Sequence, residues 1–115
     1  MADTAIDRAT YNALVETTGD EFVRELVDTF LVEAPAMLDE LRAAYAADDA
    51  DTFRRAAHSL KSNGNTFGAL TLARLAKHLE LGGIAPVREA KGAPLDGLEF
   101  EYARAAKALA ELARA

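Results

Sequence analysis

An all-α fold is what this chain predicts, and three observations carry that expectation. Apolar residues recur at steps of three and four along most of its 115 residues, period-2 alternation never persists beyond a few positions, and alanine is abundant where proline is scarce. Four substantial amphipathic stretches joined by short connections imply an antiparallel four-helix bundle, up-down-up-down, with a short additional N-terminal helix. Half the residues are hydrophobic and 28% are charged, so residues 1–115 read as one domain of ordinary globular composition.

The elements follow in order. The first residues are expected to fray. Asp7 suits an N-cap, with Ile6 and Tyr11 placed as a hydrophobic staple around it, and the short helix should stop near Thr18 at Gly19. Asp20 is the next expected N-cap. From there to about Ala47 the apolar set Phe22, Val23, Leu26, Val27, Phe30, Leu31, Met37, Leu38, Leu41 and Tyr45 keeps its spacing across Pro35, so one long helix with a kink is predicted. Asp48–Asp51 forms a turn, with Asp49 as N-cap of a third helix from about Ala50 to Asn65. Gly64, Asn65 and Gly68 are poor helix formers and should end it short of Gly68.

A fourth helix, about Ala69 to Leu81, has Leu72, Leu75, Ala76 and Leu79 on its inner stripe and stops at Gly82-Gly83. It must run antiparallel beside the third, because only a few residues join them. Ile84 to Ala93, punctuated by Pro86 and Gly92, reads as a loop with room for a short helical turn. From Leu95 a stripe of Leu98, Tyr102, Ala105, Leu109 and Leu112 gives the last helix, with Asp96 and Glu99 as its expected capping box.

Composition excludes several classes. The net charge is −6 and the pI near 4.8, with no basic run interleaved with aromatics, which argues against nucleic-acid binding. Without cysteine there is neither a disulfide framework nor a thiolate metal site. No apolar run reaches the length of a membrane span, and Asp3 and Asp7 stand where a signal peptide would be basic, so a cytoplasmic protein is expected. No second long apolar stripe is evident, which makes a monomer the default. The initial Met and the full set of helices favour a free-standing protein over a fragment of a larger kinase.

The third helix holds the candidate chemistry. Phe53, Ala56, Ala57, Leu60, Gly64 and Phe67 fall on its inner side, while His58 lies roughly 160° from the Leu60 direction and faces solvent. Arg54, Arg55, Lys61, Ser62 and Asn65 surround it as a basic and polar face. On geometry alone His58 is either a solvated surface histidine or a nucleophile able to take a phosphoryl group, with Lys61 one turn away to meet the charge. His78, the other histidine, suits a surface position. A metal pair with His58 would lack a carboxylate cluster, and neither histidine has an acid three residues before it.

The run His58-Ser59-Leu60-Lys61-Ser62, with Phe67-Gly68-Ala69 and later Leu79-Glu80, resembles the histidine-containing phosphotransfer (HPt) domain. The resemblance covers most of the chain, from about Ile6 onward. It implies a phosphorelay intermediate: His58 takes a phosphoryl group from a receiver-domain aspartate, or from a sensor histidine kinase, and passes it to another response-regulator receiver. Lys61 is then the charge partner and Glu80 the residue that orients the imidazole. Arg54, Arg55, Ser62 and Asn65 form the face that a partner meets. Ser62 departs from the glycine common at that position but remains small. No phosphate-binding Gly-rich loop or kinase motif is present, so the chain reads as a phosphoryl carrier without a cofactor or metal of its own, the Mg²⁺ belonging to the receiver. The rival reading is a docking bundle that binds a receiver or kinase and never accepts phosphate.

Overall fold

The computed structural model describes residues 5–114; the first residues, expected to fray, lie outside the described residues. Six helices follow one another: α1 Arg8–Thr18, α2 Asp20–Ala47, α3 Ala50–Phe67, α4 Leu70–Gly82, α5 Ile84–Glu89 and α6 Ala93–Arg114. Among the described residues there is no strand. α3 packs between α2 and α4, and α6 closes the ring by packing on the same two helices, which gives the expected four-helix bundle. α2 sets its length: 28 residues at about 1.5 Å rise come to about 42 Å, against a longest extent of 41 Å.

Local chemistry explains the helix starts. The Asp7 carboxylate accepts from the Thr10 amide at 3.1 Å and the Thr10 hydroxyl at 2.6 Å. Asp49 does the same for Thr52, at 3.2 and 2.7 Å. Each cap meets an amide that the first helical turn leaves without a partner. Ile6 and Tyr11 are both buried, as the staple requires. Phe67 seals one end of the core, its ring 5.3 Å from that of Phe30, which in turn meets Tyr102 edge-on at 5.8 Å.

Some expectations are kept and others corrected. α2 begins at Asp20 with Gly19, not Asp20, in the cap position. The one long helix expected across Pro35 is observed, with Pro35 exposed inside α2. α3 ends short of Gly68 as expected but runs two residues beyond Asn65, to Phe67. The expected loop after Gly83 contains α5, because Ile84 and Val87, three residues apart, both reach the core. α6 starts at Ala93, before the expected capping box, and Asp96 and Glu99 instead hold Arg42 of α2: Nη2 lies 2.5 Å from Asp96 Oδ1, and Nε lies 2.8 Å from Glu99 Oε2. The outer face of α2 also differs, since Phe22 is exposed rather than buried.

Gly64 shows why α3 keeps a poor helix former inside its last turns. It is buried against the start of α4, and a Cβ there would sit 3.1 Å from the Ala69 carbonyl oxygen and 3.2 Å from the Ala73 amide nitrogen. The glycine costs some helix propensity but lets the two backbones approach. Gly68 ends the helix with φ +86°, and its carbonyl accepts the Asp7 amide at 2.7 Å, which seats the start of α1 on the α3–α4 turn.

Candidate functional site

The close approach at Gly64 sets the register between α3 and α4. About two turns from that contact, toward the start of α3, it lays Glu80 beside His58. Glu80 Oε2 is 2.9 Å from His58 Nδ1 and Oε1 is 2.7 Å from Lys61 Nζ. One carboxylate therefore joins both residues that the α3 pattern singled out.

The three side chains differ in exposure in a way that fits their chemistry. Glu80 is 14% exposed and Lys61 25%, whereas His58 is 56% exposed. The acid and the cation form a partly sheltered base and the imidazole stands out from it. The Lys61 hydrogen bond first, and then that of His58, hold the Glu80 carboxyl below its ordinary range. Glu80 is thus ionised at neutral pH and can only accept hydrogen bonds. Nδ1 must then be the donor, so a neutral His58 ring presents its lone pair at Nε2 on the solvent side.

Arg54, Arg55, Ser62 and Asn65 are all exposed on α3. The basic character expected of this face is reduced, however. Arg54 and Arg55 both pair with Asp51, at 2.7 and 3.1 Å, one turn earlier. His78 is exposed and lies about 200° around α4 from Glu80, so it does not join His58. Among the described residues no group of three or more His, Cys, Asp or Glu side chains is placed to hold a metal ion.

Two features escaped the sequence. The Lys61–Glu80 pair depends on the α3–α4 register, for which no local signal exists. Glu101 is buried on α6, its side chain 7% exposed and its Oε1 2.7 Å from Arg104 Nη1. Its place between Leu98 and Ala105 on the apolar stripe was the available signal.

Comparison with known proteins places the chain. Residues 25–115 match the family of the Hpt domain. The crystal structure of histidine-containing phosphotransfer protein B (HptB) from Pseudomonas aeruginosa PAO1 superposes with a TM-score of 0.83 at 28% identity, covering 98% of this chain and 97% of that one. The sensor protein TorS of Escherichia coli (strain K12) is 32% identical over 78 residues, 68% of this chain. The match spans only 8% of the length of TorS.

Proposed function

Because this chain belongs to the Hpt domain family, we propose that His58 Nε2 is the atom that carries the phosphoryl group in its phosphorelay. The observation that carries this reading is the shared carboxylate: Glu80 accepts from Nδ1 and leaves Nε2 outward on an exposed ring. In the forward step the Nε2 lone pair attacks phosphorus of a receiver's aspartyl phosphate. The P–Nε2 bond forms as the P–O bond to the aspartate breaks, and that electron pair leaves on the carboxylate. The ring becomes a phosphorylated imidazolium that keeps its Nδ1 proton, and the Glu80 carboxylate stabilises its charge. Transfer onward runs the same step in reverse, with the neutral imidazole as leaving group.

Lys61, held by Glu80 within one turn of His58, offsets the charge of the incoming group. Arg54, Arg55, Ser62 and Asn65 lie on the partner side. Receiver domains and a histidine kinase are the proposed partners, and the divalent cation belongs to the receiver. The chain acts as a monomer and contributes placement of the nucleophile. Among the described residues no helix is long and apolar enough to cross a membrane.

The test is phosphoryl transfer from a panel of phosphorylated receiver domains to the wild-type chain and to His58→Gln. Acid-labile, base-stable label on the wild type and none on the variant is the expected result. A variant that labels equally, or a wild type that binds receivers without ever taking label, overturns the reading in favour of a docking regulator.

A further inference from the structure

We infer that the outward stripe of α4, formed by Arg74, Lys77, His78 and Leu81, is the steering and anchoring half of the surface on which a receiver domain docks. The inference rests on the phosphotransfer reading above for its partner, but its observations are separate. Spacings of three, four and seven put these residues on one side of α4. All four are exposed, and Leu81, at 73% exposed, adds a large apolar side chain to the cations beside it.

The stripe is continuous with the site. Leu81 and Gly82 line a shallow hollow with Arg74, Lys77 and His78. The same two residues line a second hollow with Ala50, Arg54 and Glu80, the residue that holds His58. Leu81 is therefore the ridge between the imidazole's support and the α4 cations.

Charge favours α4 over α3. On α3 the positive charges are met locally, Arg54 and Arg55 by Asp51 and Lys61 by Glu80. Arg74 and Lys77 have no ion pair among the described residues. From Leu70 to Leu79 the helix carries no acid at all. In a chain of net charge −6, two unpaired cations beside an exposed leucine select a partner whose docking face joins an apolar patch to carboxylates. A receiver that presents its aspartate to His58 overhangs the neighbouring α4 stripe, so the complement is required of the part of its surface beside that aspartate. The cations act on encounter and Leu81 on residence.

The experiment uses the full chain, with the receiver that binds the wild type most tightly chosen from a purified panel. Association and dissociation rates are measured at low and moderate salt for wild type, Arg74→Glu/Lys77→Glu, Leu81→Asp and, as an exposed apolar comparator on α2, Val32→Asp. The double variant should slow association at least about tenfold at low salt and flatten its salt dependence. Leu81→Asp should raise the dissociation rate about tenfold, with Val32→Asp unchanged. Circular dichroism melts of each variant establish that the fold is kept. Rates within twofold of wild type for both α4 variants, or no binding by any receiver, overturn the inference. Labelling of the wild-type chain by phosphoramidate reads His58 chemistry without a receiver. Absence of that label with the α4 effects intact removes the phosphotransfer reading and leaves the docking surface standing.

Discussion

At the scale of the residue, Glu80 does two jobs with one carboxylate, and they can be separated. Its Oε2 fixes the Nδ1–H tautomer of His58, and its Oε1 holds the Lys61 ammonium. Glu80→Gln keeps a carbonyl acceptor for Nδ1 but loses the charge that attracts Lys61. Glu80→Ala loses both. Transfer should therefore fall only a few-fold in Glu80→Gln and on the order of tenfold to a hundredfold in Glu80→Ala, at the lower end of what a positioned proton-handling group contributes. A purely structural role would not alter the ring itself. Nitrogen NMR of His58 should show the Nδ1–H form dominant in the wild type and in Glu80→Gln, and a shift toward Nε2–H in Glu80→Ala. An unchanged tautomer in Glu80→Ala would refute the orienting role.

At the scale of the element, the pairing of α3 with α4 decides whether the three residues meet, and Gly64 decides the pairing. Gly64→Ala gains about 1 kcal/mol of helix propensity. It also presses a methyl against backbone atoms of Ala69 and Ala73 that have no flexible end to move. The overpacking should win, for a net loss of about 1–2 kcal/mol in denaturant unfolding, together with slower transfer as Glu80 is displaced. An equal or higher midpoint with unchanged transfer would show that the helices can separate at no cost. The same helix pair marks the limit of what could be read from sequence. Outwardness of His58, nearness of Lys61 and the caps at Asp7 and Asp49 are local properties, set by 100° per residue and by a carboxylate next to a free amide, and they were legible. The reach of Glu80 to His58 is a property of register between helices, as is the capture of Asp96 and Glu99 by Arg42. Asp51 stands three and four residues before its arginines, a helical pairing that its place beside the Asp48–Asp51 turn obscures. Its pairing there shifts the free positive charge from α3 to α4.

At the scale of the molecule, the carboxylates that organise the fold also fix its response to acid. Hydrogen bonds from Thr10 lower the Asp7 carboxyl and those from Thr52 lower Asp49, both from an ordinary value of 3.8. Lys61 and His58 lower Glu80 from 4.5. Each group binds a proton less readily folded than unfolded. Its contribution is complete above the unfolded value and disappears as pH falls through the folded one. Long-range charge acts in the other direction at first, because acidification from pH 7 toward the pI near 4.8 relieves the self-repulsion of a chain at −6. Stability should thus hold or rise slightly down to about pH 5 and decline below about pH 4.5 as α1, α3 and the α3–α4 contact lose their charged acceptors together. Urea midpoints at pH 7, 5, 4 and 3 measure this. In Asp7→Asn/Asp49→Asn/Glu80→Gln the caps and the imidazole keep neutral acceptors that do not titrate, so the midpoint at pH 7 should be lower and the acid decline shallower than in the wild type. An acid limb of equal slope in the two proteins would mean that other carboxylates carry the pH dependence instead.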